Sequence, residues 1–219
     1  MSAGPISLLL ADDHPLVLNG MRSLIEARAD YRLVAQCADG NDALAAIRRH
    51  SPVIAVLDFN LPERDGLNVL ACARNEKLAT RVVIISAAML DRDVYAAINL
   101  GAYGILLKEW AADSLVDCLD TVAAGRCWFP KHFVDGALQR EVARQQKAAK
   151  IAKRLTRREL QIALLVADGL SSKEIAGELQ LAEGTVKLHL HSTFQKLQVN
   201  RRAELVAIIG AIRDVLYSD

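Results

Sequence analysis

The sequence contains no stretch approaching the roughly 20 apolar residues that span a bilayer, and no basic segment leads into a signal-like apolar core at its start. Both absences point to a cytoplasmic protein with no membrane partner. Cysteine is sparse: Cys37, Cys72, Cys118 and Cys127 lie far apart, form no CxxC pair and have no histidine at metal-ligand spacing. Neither a disulfide framework nor a zinc site is indicated, and the thiols read as small buried apolar residues. Also missing is any nucleophile–base pair of the hydrolytic kind, which leaves an ordinary hydrolase the least favoured class.

What is present suits two domains. The 219 residues are 52% hydrophobic, enough to build a core in each. The net charge of +1 hides an asymmetry, since residues 1–124 hold 11 Lys and Arg against 16 Asp and Glu, whereas residues 125–219 hold 16 against 10. An acidic front half suits a cation, and a basic back half suits a polyanion such as double-stranded DNA.

The front half is organised around Val53-Ile54-Ala55-Val56-Leu57-Asp58, an aliphatic run that ends on a carboxylate and is followed by a loop containing Pro62 and Gly66. Such a run reads as a strand buried on both faces, as in a parallel sheet, where ligands sit beyond the strand carboxyl ends. Ile6 to Ala11 is a second such run, closed by Asp12 and Asp13. Strands are also predicted over Tyr31–Ala38, Arg81–Ser86 and Gly104–Leu107. Helices are predicted over 16–28, 41–50, 67–75, 92–100 and 112–124. Five βα repeats imply a doubly wound, flavodoxin-like α/β domain.

Four strands thus end in polar groups that can converge: Asp12 and Asp13, Asp58, Ser86, and Lys108. Each alone reads more readily as a cap or a solvated loop residue. Together, three carboxylates repel one another and need either raised pKa values or a hard divalent cation; Mg²⁺, which favours carboxylate oxygen, is the simpler solution. Between a cation and the Lys108 ammonium, Asp58 can attack a phosphoryl group, with Ser86 donating to a transferring oxygen. These residues, with Leu61-Pro62 and Asp65-Gly66, resemble the receiver domain of two-component response regulators over residues 6 to about 125. The resemblance implies that Asp58 accepts phosphate from a sensor histidine kinase, and that Asp12, Asp13, Asp58 and the Asn60 carbonyl hold Mg²⁺. It further implies that Ser86 and Lys108 contact the phosphoryl group. Two departures stand out. Ile105 occupies the position where many receivers carry a switch aromatic, with Tyr103 two residues earlier on the same side of an ideal strand. Glu109 follows Lys108 where many have proline, leaving open whether that peptide is cis.

From Pro130 to Arg154 the chain turns polar, with almost no large apolar residue after Leu138, and the linker is placed at 126–153. We read a partly helical linker between domains at 1–125 and 154–219, its scattered apolar residues (Phe133, Val134, Ala137, Leu138, Val142) giving one weak face. Beyond it, Thr156-Arg157-Arg158-Glu159 and Ser171-Ser172-Lys173-Glu174 both fit the capping box. Helices over 157–168, 173–179, 183–197 and 201–216 make a four-helix unit containing a helix-turn-helix. In the third helix Val186, Leu190, Phe194 and Leu197 face the core. Lys187, Leu188, His191 and Gln195 then project toward base edges, and Thr185, Lys196, Arg201 and Arg202 are candidate phosphate contacts. Leu155 to Glu159, Gly169 to Ala176 and Glu183 to His189 look like the LuxR-type DNA-binding domain. The whole chain therefore resembles a NarL/FixJ-type response regulator. That resemblance implies a homodimer through the last helix, where Leu205, Val206, Ile209, Ile212 and Leu216 form a stripe that must also close the domain core. The function expected is a transcription regulator activated by phosphorylation of Asp58; the alternative is a phosphorylation-independent regulator using the receiver as a protein-binding module.

Overall fold

In a computed structural model, residues 4–216 are described, excepting the side chains of His132 and Phe133. Phe133 of the predicted linker face therefore lies outside the described side chains, as do residues 1–3 and 217–219 of the expected domains. The described chain forms two compact units, 1–139 and 140–219.

The first unit alternates strands and helices: β1 (Ile6–Ala11), α1 (Pro15–Glu26), β2 (Tyr31–Cys37), α2 (Gly40–His50), β3 (Ile54–Asp58), α3 (Gly66–Asn75), β4 (Arg81–Ser86), α4 (Asp91–Asn99), β5 (Gly104–Leu107) and α5 (Ala111–Ala123). A short 3₁₀ turn, Lys108–Trp110, joins β5 to α5. All strand pairs are parallel, in the order β2-β1-β3-β4-β5. Alternate residues of each central strand enter opposite cores, as the pleat requires. Leu9, Ala55, Leu57, Ile84 and Ile105 pack against α2, α3 and α4. Leu8, Leu10, Val56, Ile85 and Leu106 pack against α1 and α5. Each fully buried Leu or Ile contributes roughly 1.5–3 kcal/mol, which makes this double-sided burial of β1 and β3 the scaffold for whatever their ends carry.

One further residue completes the sheet. Trp128 makes a parallel bridge with Gly104, its N–H donating to the Tyr103 carbonyl at 2.8 Å and its carbonyl accepting from Ile105 N–H at 3.2 Å. The outer edge of β5 is thus partly closed from a segment that sequence reading left in a linker.

The helix α6 (Lys131–Arg154) is continuous, a finding that extends the expected partial helix. Its Val134 and Ala137 belong to the core of the first unit, and its Ala148 and Ile151 to that of the second. The second unit continues with α7 (Arg157–Ala167), α8 (Ser172–Glu178), α9 (Glu183–Leu197), α10 (Arg202–Gly210) and α11 (Arg213–Leu216). The predicted final helix is thus broken after Gly210. Both capping boxes form: Thr156 Oγ1 accepts from Glu159 N–H and Ser171 Oγ from Glu174 N–H, each at 3.3 Å. Gly169, at φ +89°, ends α7 in the left-handed conformation that only glycine adopts cheaply. No helix among the described residues is long and apolar enough to cross a membrane.

Candidate functional site

Parallel register carries four strand ends to one edge of the sheet. Ala11 pairs with Leu57, Asp58 with Ile85 and Ser86 with Leu107, so Asp12, Asp58, Ser86 and Lys108 converge. Asp12 and Ser86 are fully buried and Asp58 is 2% exposed. The Lys108 Nζ lies 2.7 Å from Asp12 Oδ2 and 2.9 Å from Asp58 Oδ2. Burial pushes the Asp58 carboxyl up; the Lys108 hydrogen bond pulls it down, the Asp12 charge pushes it up again, and the net displacement is upward. Burial works against the Lys108 ammonium, yet its bonds to Asp12 and Asp58 outweigh that and raise it, so the lysine stays charged.

Asp13 is more open, and His14, missed by sequence reasoning, joins it. Its Nδ1 is 2.6 Å from Asp13 Oδ1 and 3.2 Å from Asp12 Oδ1, while its backbone N–H donates to Asp12 Oδ1 at 2.9 Å. Donor atoms of Asp12, Asp13, His14 and Asp58 all lie within 4.8 Å of one another. Three carboxylates facing one half-buried ammonium leave an excess of negative charge over oxygen-rich donors, which fits a divalent cation. Asn60 is exposed at the rim, and its backbone hydrogen bond to Asp58 helps hold that carboxylate.

The Ser86 hydroxyl is engaged elsewhere, donating to the Ala88 carbonyl at 2.7 Å and accepting from Ala88 N–H at 3.3 Å. Ile105 is fully buried in the core. Tyr103 does not share its side: it precedes β5, packs on the opposite cluster and lies 5.8 Å from the Arg81 guanidinium. The reason is that the strand begins only at Gly104, so the two-residue period does not extend back to Tyr103. No cis peptide occurs among the described residues, so Lys108–Glu109 is trans.

In the second unit α9 buries Val186, Leu190 and Thr193, with Phe194 and Leu197 partly covered. Its opposite side carries Lys187, Leu188, His191 and Gln195, all exposed, Leu188 by 72%. Lys187 pairs with Glu183 at 2.7 Å, and Gln195 Nε2 lies 3.0 Å from His191 Nε2. Thr185 is half-buried at the first turn and Arg201 is exposed. Two other candidates are occupied within the unit: Lys196 bonds to Glu159 at 2.6 and 2.8 Å, and Arg202 donates to the Leu170 carbonyl. Leu205 and Ile209 on α10, and Ile212 in the turn just beyond it, are at most 1% exposed. They serve the domain's own core and are not available as a surface; of the five residues in the expected stripe, Val206 and Leu216 are half-exposed.

A buried acidic pocket with its lysine, at the carboxyl ends of a parallel sheet, shares this chain with a helix-turn-helix whose outer face is polar and open. That combination defines a class, DNA-binding regulators governed by a receiver. Comparison with known proteins agrees: the family described as "Response regulator receiver domain" matches residues 8–120, and "Bacterial regulatory proteins, luxR family" matches 153–209. The probable transcriptional regulatory protein NarL of Mycobacterium tuberculosis is 36% identical over 202 residues, 92% of each chain. The nitrate/nitrite response regulator NarL of Escherichia coli is 31% identical over 200 residues, 91% of this chain and 93% of that one. A structure of the Salmonella typhimurium response regulator RcsB covers 94% of this chain and 99% of its own at a TM-score of 0.66; at 22% identity it shows the shared fold. The chain belongs to the two-component response regulators that join a receiver to a LuxR-type DNA-binding domain, and it is a transcription regulator of that kind.

Proposed function

We propose that Asp58 is the phosphoacceptor and that a phosphorylated histidine of a sensor kinase is its donor. The observation that carries this reading is the buried Asp58 carboxylate held 2.9 Å from Lys108 Nζ, beside Asp12. An Asp58 carboxylate oxygen attacks phosphorus, the P–N bond to the donor imidazole breaks, and an acyl phosphate forms. Lys108 offsets the negative charge on the transferring oxygens. Asp12, Asp13, Asp58 and the Asn60 carbonyl would hold Mg²⁺, which supplies further charge neutralisation at those oxygens. Ser86 must exchange the Ala88 carbonyl for a phosphoryl oxygen, drawing the loop after β4 with it.

The output is binding to double-stranded DNA in the cytoplasm. Lys187, Leu188, His191 and Gln195 face the major groove, and Thr185 and Arg201 face phosphates. Homodimerisation would use the outer side of α10, where Val206 is joined by exposed Ala203, Ala207 and Gly210. A phosphorylation-independent regulator is favoured by one observation, Ile105 at the switch-aromatic position and fully buried.

Wild type and Asp58→Asn should be compared with and without Mg²⁺ and acetyl phosphate, following phosphate incorporation, sedimentation and DNA binding. The expected outcome is incorporation, a shift toward dimer and tighter DNA binding in wild type alone. Incorporation with no change in assembly or DNA binding would favour the phosphorylation-independent reading.

A further inference from the structure

The stretch from Arg140 to Arg158 carries eight Lys or Arg residues and one carboxylate, Glu141, and the proposed function uses none of them. Some have evident structural work. Arg144 bonds to Glu141 at 2.8 Å and Asp214 at 2.7 Å; Arg158 donates to the Leu179 carbonyl at 3.0 Å.

Others do not. Ala148 and Ile151 turn one side of α6 into the core of the second unit. At 3.6 residues per turn, Lys147, Lys150, Lys153 and Arg154 fall within one arc of about 120° that runs from the flank of this buried side round to the back of the helix. All four are exposed, as is Arg157 at the start of α7. Among the described residues no carboxylate pairs with any of these five. Solvated helix faces commonly interleave opposite charges at i,i+4, as Glu183 and Lys187 do on α9. Like charges at that spacing destabilise a helix by a few tenths of a kcal/mol per pair. A face of five unrelieved cations is better explained by an anionic partner than by solubility.

The partner's chemistry follows from where the face lies. It belongs to the compact unit that contains α9. Its last members adjoin Arg158, which is bonded to the turn between α8 and α9. Lys147 to Arg154 spans roughly 10 Å of helix axis, about the axial rise of three phosphates along one strand of a duplex.

We propose that this face of α6 and Arg157 is a second DNA-contact surface, binding the phosphate backbone beside the segment read by α9 and adding affinity without sequence preference. The proposal rests on the DNA-binding reading above.

The test uses full-length protein and a random-sequence duplex, with affinity measured across a salt series. Compared are wild type, Lys147→Gln/Lys150→Gln/Lys153→Gln and the charge-preserving triple arginine variant. The expected result is a plot of log affinity against log salt that is shallower by about 0.9 per lost phosphate contact, hence by about 2 to 3 for the glutamine variant. Its affinity at physiological salt falls at least tenfold, while the arginine variant keeps the wild-type slope. Wild-type slope and affinity in the glutamine variant would overturn the proposal, and so would equal losses in both variants, which would mark damage to the helix. Should wild type itself show no salt-dependent binding to duplex, the DNA-binding reading falls instead.

Discussion

Glu159 is 4% exposed yet ionised. Burial pushes its carboxyl up, but the Lys196 ammonium, the Ser192 hydroxyl at 2.6 Å and the Thr156 backbone N–H outweigh burial and hold it at about 2, against an ordinary 4.5. A depressed carboxylate stabilises the fold at pH above its unfolded value and loses that stabilisation as pH falls through its folded value. The window therefore runs from about 4.5 down to about 2. Glu159→Gln should lower the thermal midpoint of the C-terminal domain at neutral pH, with the difference from wild type shrinking through that window; a constant difference between pH 6 and pH 2 would contradict this. The capping half of the arrangement was legible in Thr156-Arg157-Arg158-Glu159, because caps are local. The other half was not, since Ser192 and Lys196 stand 33 and 37 positions away. For the same reason Lys196 read as a phosphate contact: a lysine on an outward helical position carries no sign of the carboxylate that folds beside it. Conversely, Asp12, Asp58, Ser86 and Lys108 were legible as a group because each follows an aliphatic run, and strands in one parallel sheet bring their ends together.

Among the elements, β3 to β5 and α9 followed from their patterns. An all-apolar run or a steady helical stripe leaves few alternatives when its flanks are polar. The helix α6 was harder to see, because its apolar residues are divided between two cores and no single window shows a full stripe. The last helix was overextended for the opposite reason, since the stripe through Leu205, Ile209 and Ile212 continues across the turn after Gly210. One local feature binds element to site: α3 begins at Gly66, where a Cβ would lie 2.4 Å from the Asp58 carbonyl oxygen. Gly66→Ala forces backbone apart directly at Asp58. Overpacking of this kind costs about 1–3 kcal/mol. The variant should fold with a lowered midpoint and incorporate phosphate from acetyl phosphate markedly more slowly than wild type; an unchanged rate would show that the contact relaxes without moving Asp58.

For the whole molecule, two units with their own cores should unfold in separable steps. Calorimetry is expected to show two transitions. Because, among the described residues, the one cluster of carboxylates that suits a cation lies in the first unit, adding Mg²⁺ should raise only that unit's transition, by an amount equivalent to about 2.7 kcal/mol at a hundred times the dissociation constant. Chelation should reverse the shift. Movement of both transitions would mean that the units unfold as one.

The residue that closes β5 has an optical consequence. Trp110 and Trp128 are the chain's two tryptophans, and both pack on the cluster beneath that strand, one just past Lys108 and the other hydrogen-bonded along its edge. Intrinsic fluorescence is consequently concentrated around the strand that presents the pocket's lysine. The chain carries its own fluorophores there, and if Asp58 takes up phosphate as proposed, emission should shift on addition of acetyl phosphate and Mg²⁺ without a dye being attached.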